Sequence, residues 1–245
     1  MDDFGFEVYG QSGVLQASSL YITMGLSKAG RISSAMSPVK ALDRVYGQHV
    51  WFTVLGTNPV PFIGPGSPFI CRYVIKSGNS FTFGYDVDGV SPGQPFQYYV
   101  FDNMTPRGDF GIEVFNPSGV LTFTSNRQPL RVVFAARPSG VLDGGRLYLG
   151  MTPPDPQSYA VLPAGAYAIN SAYGRFGYQL YAGVYDGYFL AEQFACTSTG
   201  YRWSWLQVAD VPGDSPAFDT RLRVNTYGYP FVMIIDTTRL PTVFG

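Results

Sequence analysis

The sequence is poor in charge, in lysine and in histidine. Asp, Glu, Lys and Arg make up 13% of 245 residues, about half the usual share, and the formal net charge is −1. A chain so nearly neutral has no overall attraction for nucleic acid or for an anionic membrane. It also has few charges with which to solvate a large surface, which suits a protein partly covered by partners. Of 16 basic residues only Lys28, Lys40 and Lys76 are lysines. The others are arginines, which with tyrosine are enriched at interfaces.

A single histidine, His49, would have to serve any Ser-His-Asp or Cys-His arrangement, and a zinc site would lack the usual histidine cluster. Its place beside Trp51, opposite Val50, Phe52 and Val54, reads as a surface or half-buried structural histidine. Cys71 and Cys196 fit no metal spacing and read as buried thiols of a chain made in a reducing cytoplasm. No apolar run approaches the ~18 residues of a membrane helix. The opening Met-Asp-Asp has neither the basic nor the apolar region of a secretory signal. No Gly-rich phosphate loop leads from a strand into a helix. Asp86, Asp88 and Glu192, the carboxylates weighed for glycoside hydrolysis, are joined by no local motif. Asp86-Val-Asp-Gly89 lacks the full ligand series of a calcium loop and reads as a hairpin turn. The expectation is a protein that is not an enzyme and holds neither cofactor nor metal.

What is abundant is turn formers and aromatics: 29 Gly, 19 Pro, 18 Tyr and 19 Phe. Such a profile suits many short strands. The most informative stretch is Asp109-Phe-Gly-Ile-Glu-Val-Phe-Asn-Pro-Ser-Gly-Val-Leu121, because the chain opens on Asp3-Phe-Gly-Phe-Glu-Val-Tyr-Gly-Gln-Ser-Gly-Val-Leu15. Nine of thirteen positions are identical at a constant offset of 106 (109 − 3), which marks an internal duplication. In each copy apolar residues alternate with mostly polar ones, the pattern of a half-buried antiparallel strand. Ser-Gly then forms the shared centre of a tight hairpin turn, with Asn116 and Pro117 completing it in the second copy. Glu7 and Glu113 fall on the solvated face.

Further strands are expected at 20–25, 46–55, 69–76, 80–87, 96–102, 130–136, 146–151, 177–185, 201–208, 220–226 and 231–236, separated by Gly and Pro. A short helical turn is expected at 37–46, with Ser37 capping and Pro38 in the first position. Residues 56–68, dense in Pro and Gly and containing Phe62, read as a loop offering a contact surface. Trp203 and Trp205 share one strand face, and Tyr227 and Tyr229 do likewise. Exposed, these rings would form a platform for sugars; buried, they would be core. Both copies end on an apolar strand closing with aspartate, at Asp102 and Asp236. The fold class expected is all-β, two related β-sandwich modules in tandem, one over residues 1–106 and the other, with longer loops, over 107–245.

The repeated hairpin resembles the N-terminal stretch of small tail proteins of tailed bacteriophages, the tail-tip and baseplate-associated minor tail proteins of siphophage-like particles. Phe4, Gly5, Val8, Tyr9, Gly13 and Leu15 carry the likeness in the first copy, and Phe110, Gly111, Val114, Phe115, Asn116, Gly119 and Leu121 in the second. The close on Ile234-Ile-Asp236 is similar too. Together the two hairpin stretches span 26 residues, twice thirteen, and one chain with two copies departs from the single copy associated with that group. The resemblance implies a virion component of the distal tail, made in the host cytoplasm. It implies other tail proteins as partners, a cyclic homo-oligomer such as a trimer, and contact with a host surface glycan or receptor. No catalytic residue comes with it. The alternative carried beside it is a lectin-like, carbohydrate-binding β-sandwich.

Overall fold

The structure, a computed structural model, describes residues 7–9, 15–18, 22–32, 36–41, 44–66, 68–87, 96–106, 111–137, 146–147, 157–171, 176–180, 187–211, 222–224 and 231–245. Every regular element among them is a strand. The first half supplies β1 (Glu7–Tyr9), β2 (Leu15–Ser18), β3 (Met24–Ile32), β4 (Met36–Ala41), β5 (Arg44–Leu55), β6 (Val60–Ile63), β7 (Phe69–Ser77), β8 (Ser80–Val87) and β9 (Phe96–Asn103). The second supplies β10 (Glu113–Phe115), β11 (Leu121–Thr124), β12 (Val132–Ala136), β13 (Arg146–Leu147), β14 (Gln157–Ala160), β15 (Tyr167–Ser171), β16 (Phe176–Leu180), β17 (Gly187–Thr197), β18 (Gly200–Val211), β19 (Leu222–Val224) and β20 (Val232–Asp236).

The two copies of the repeat form matching hairpins. In β1–β2 the pairs are Glu7↔Ser18, Val8↔Ala17 and Tyr9↔Leu15, with a bulge after Val8. In β10–β11 they are Glu113↔Thr124, Val114↔Phe123 and Phe115↔Leu121, with a bulge after Val114. Every paired position recurs 106 residues later, as does the bulge (7 + 106 = 113). The second turn is organised by Asn116: its Oδ1 accepts from the N–H groups of Ser118 and Val120 at 3.0 and 2.9 Å. Gly119 closes that turn at φ 76°, a left-handed conformation that costs glycine little. The likeness continues beyond the hairpins. The β3–β9 ladder slips between Leu26 and Lys28, and the β12–β20 ladder slips between Val132 and Phe134, again 106 residues on (26 + 106 = 132).

The all-β, sandwich-like architecture expected from the sequence is present. One sheet has six strands, in the order β12-β20-β15-β6-β9-β3. The larger runs β13-β19-β16-β17-β7-β8-β5-β4, with β18 pairing β17 and β14 pairing β18. The boundary at 106 and 107 therefore divides the sequence and not the space. In the six-stranded sheet, β6 of the first half meets β15 of the second at Ile63↔Ile169. In the larger sheet, β7 meets β17 at Phe69↔Phe194. Both seams join corresponding strands in antiparallel fashion, so an approximate twofold rotation relates the halves.

The core between the sheets is drawn from both halves. Val50, Phe52 and Val54 of β5 and Phe83 and Val87 of β8 pack with Ile169, Phe194, Trp203 and Ile234. Phe52 stacks on Tyr98 of the opposite sheet with centroids 4.1 Å apart and planes within 9°. Such a pair adds about 0.5–1.5 kcal/mol beyond the area it buries. The six-stranded sheet is covered on its other face as well, where Leu26, Phe62, Tyr99, Phe101 and Ile235 are buried beneath Leu240 and Phe244 of the C-terminal segment. That segment is tied down by reciprocal backbone hydrogen bonds between Ala29 and Phe244. Burial on both faces explains why Tyr98-Tyr-Val-Phe101 and Val232-Met-Ile-Ile235 are nearly continuous apolar runs.

Two local expectations are corrected. The described residues of 37–46 form no helical turn: β4 pairs antiparallel with β5, from Met36↔Val50 to Ala41↔Arg44. Pro38 is tolerated because β4 is the last strand of its sheet, where a missing N–H leaves no inner ladder broken. Residues 56–68 are not all loop either, since β6 lies within them and pairs with β9. The turn before β6 is held by Asp102, whose carboxylate accepts from the N–H groups of Thr57 (2.8 Å) and Asn58 (2.7 Å). Asp236, which ends the corresponding strand β20, accepts from the Thr238 N–H, and hydrogen bonds from Thr238 hold its carboxyl below the ordinary value.

Both thiols are free, Cys196 buried and Cys71 half-buried. Burial pushes the Cys71 thiol up to about 11 and that of Cys196 up to about 12. Only thiolate reacts, so native protein at pH 8 is expected to react with a disulfide reagent roughly a hundredfold more slowly than the chain in guanidinium. A time course of thiol release with and without denaturant checks this. Fast release of two equivalents from native protein would contradict it.

Candidate functional site

The aromatic residues picked out as a binding surface fall into two groups. Trp203, Trp205 and Phe62 are buried, at 2%, 8% and 0% exposure, so they are core and cannot meet a ligand. Trp203 Nε1 donates to Glu192 Oε1 at 2.5 Å, and Glu192 is itself fully buried. Phe62 lies under the C-terminal segment because its strand belongs to the doubly covered sheet. Tyr227, Tyr229 and Asp88 lie outside the described residues.

A different cluster stands on the outer face of the larger sheet. Strands β5, β8 and β7 are neighbours there, and their register aligns His49 with Asp86, Trp51 with Gly84, and Gly84 with Tyr73. Because Val50, Phe52 and Val54 face the core, alternation turns His49, Trp51, Thr53 and Leu55 outward. Asp86 is buried even so, its side chain 4% exposed, beneath two cationic or polar partners. His49 Nδ1 lies 2.8 Å from Asp86 Oδ1, and Arg72 Nε lies 3.0 Å from Oδ2. His49 Nε2 is 3.1 Å from the Tyr73 hydroxyl.

These contacts settle the direction of each bond. A carboxylate only accepts, so Nδ1 carries the proton; in the neutral ring Nε2 then accepts from the Tyr73 O–H. The imidazole is thereby held at both ends. Trp51 stacks against it with centroids 5.6 Å apart and planes at 25°, and the Tyr73 ring lies 5.5 Å away on another side. Gly84 makes this possible. A Cβ there would come 2.3 Å from Tyr73 Cζ, so the phenol could no longer lie across β8 toward His49.

Carboxylate, imidazole and hydroxyl in series have the connectivity of a nucleophile-activating triad. The terminal hydroxyl is a phenol, and the bonds at both ring nitrogens fix the orientation of the imidazole. Thr53 Oγ1 and Thr82 Oγ1, 2.8 Å apart, continue the polar row on the same face.

Trp51, Arg72 and Tyr73 were not singled out from the sequence. The signal was there: in 46–55 a tryptophan and a leucine fall on the face opposite the core. The pairing with Asp86 was invisible, because it depends on the β5–β8 register. Among the described residues no group of three or more His, Cys, Asp or Glu could hold a metal ion. No helix among them is long and apolar enough to cross a membrane. No protein-family model, curated protein or solved structure matches the chain.

Proposed function

We propose that the protein is a structural component of a bacteriophage tail tip or baseplate, acting in assembly, fibre attachment or adhesion to the host surface. The observation that carries this reading is the duplicated hairpin, similar in sequence to the opening of minor tail proteins. Each copy forms a two-stranded sheet of its own, separate from the sandwich sheets. Around them Tyr9, Ile112, Phe115 and Val120 are 46–66% exposed, apolar side chains open to a partner. Neighbouring subunits of a tail would cover it, as a cyclic oligomer or through other tail proteins.

Mass spectrometry of purified tailed particles tests the reading. The expected result is recovery of the protein at a fixed ratio to the tail-tube subunit. Its absence from particles that carry all other tail proteins would overturn the proposal. A second reading, a carbohydrate-binding sandwich, is favoured by one observation only: Trp51 and Tyr73 are 39% and 36% exposed on the open sheet face.

A further inference from the structure

We infer that the outer face of β5, β8 and β7 around Trp51 is a carbohydrate-binding site, taking a pyranose ring of a bacterial surface polysaccharide. It rests on the adhesion branch of the tail reading and supplies that branch with a ligand class. Three features of the cluster lead there.

The first is the state of the rings. Trp51 and Tyr73 flank Gly84, so no side chain rises between them from β8. Trp51 is backed by His49, and His49 is held by Asp86 on one nitrogen and by Tyr73 on the other. Rings held this way give up little freedom when a ligand arrives, which is where affinity is commonly lost. The second is the cost of the support. A carboxylate only 4% exposed on a solvent-facing sheet must be desolvated, and a paired buried carboxylate is weak evidence for a stabilising role. What it achieves is position: it fixes the imidazole against which Trp51 stacks. The third is the mixture of chemistry. Exposed ring faces stand beside the Thr53 and Thr82 hydroxyls and the Arg72 side chain, which is 42% exposed. A sugar ring carries an apolar C–H face and a rim of hydroxyls, and matches both. A purely apolar partner would strand the polar row, and a simple anion would leave the rings unused.

Among the described residues of the second half, the hairpin that meets β7 offers no such place. On the corresponding strands, β17 and β18, Gln193 and Ser204 alternate with the core-facing Phe194 and Trp203, yet they are only 1% and 3% exposed.

The full-length protein, applied to a printed array of bacterial lipopolysaccharide, capsule and teichoic-acid oligosaccharides, tests this. Wild type is expected to retain a defined set of glycans. Trp51→Ala should weaken the best of them at least tenfold, as truncating an aromatic anchor does. Gly84→Ala should weaken it too, by displacing Tyr73. Trp51 stands on the open face and Gly84 is buried beneath the Tyr73 ring, and a circular-dichroism melt matching wild type confirms the fold of each variant. No glycan bound by wild type, or unchanged binding by Trp51→Ala, overturns the site. So does a wild-type dimer in sedimentation that Trp51→Ala splits, which would make the face a self-association surface. The outcome is separable from that of the virion experiment. A protein missing from particles that binds glycan through Trp51 loses its tail assignment and keeps its site; a tail protein that binds none does the reverse.

Discussion

Dividing the chain between residues 106 and 107 is expected to give two fragments that fold only in each other's presence. Each sheet crosses that point once, through β6–β15 and through β7–β17. The residues at the seams, Ile63, Ile169, Phe69 and Phe194, are all 3% exposed or less. Exposing four such side chains would cost about 6–12 kcal/mol, which is comparable with the whole stability of a typical domain. Each fragment would also leave β6 or β15 with an unpaired edge, a template for aggregation. Expressed singly, residues 1–106 and 107–245 should show no cooperative melt and collapsed amide dispersion. Co-expressed, they should purify as a one-to-one complex with a cooperative transition. A fragment that melts cooperatively as a monomer would show that the halves are independent modules. A fragment that folds as a homodimer would still need a partner across the same seams, as the approximate twofold relation requires.

The second large effect is expected at Trp203. It is among the largest fully buried side chains and lies in the core shared by both sheets. Trp203→Ala should destabilise by about 3–5 kcal/mol through lost transfer energy and the cavity left behind. The buried Glu192 carboxylate adds a further penalty, because it loses the indole N–H now 2.5 Å away. Trp203→Phe separates the two contributions: it keeps most of the ring and removes the donor, and should cost about 1.5–3 kcal/mol, as hydrogen bonds to charged groups do. Urea denaturation followed by tryptophan fluorescence and circular dichroism measures both. Trp203→Ala within about 1 kcal/mol of wild type would mean that the indole is not packed as described. The comparison with Trp51→Ala is instructive. That substitution lies on the open face and should leave the midpoint almost unmoved while weakening glycan binding at least tenfold.

These two tryptophans show where reading the chain residue by residue succeeds and where it stops. The period-two alternation in 46–55 correctly assigned Val50, Phe52 and Val54 to one face and His49 and Trp51 to the other. Alternation alone says nothing about whether a face is covered. Trp203 and Trp205 were correctly placed on one face, but only the six-stranded sheet lying across that face makes them core. The loop expected around Phe62 fails for the same kind of reason. Its neighbours are Pro and Gly, and the ladder to β9 that makes it a strand comes from residues almost forty positions away in sequence (99 − 62 = 37). Residues 37–46 carry a helix start in Ser37 and Pro38, which loses to the local hairpin pairing of β4 with β5.

By itself the sequence determined the all-β class, the two hairpins, the turn chemistry of the second, and the 106-residue duplication; the first turn, at 10–14, lies outside the described residues. All of these follow from local rules: side chains alternate along a strand, and Asn, Pro and Gly dictate turns. Only the tertiary structure decided that the duplicated halves interleave into shared sheets, and that His49 meets Asp86 and Tyr73. Strand partners are chosen by matching apolar faces across long loops, and that selection is a property of the assembled core and of no single segment.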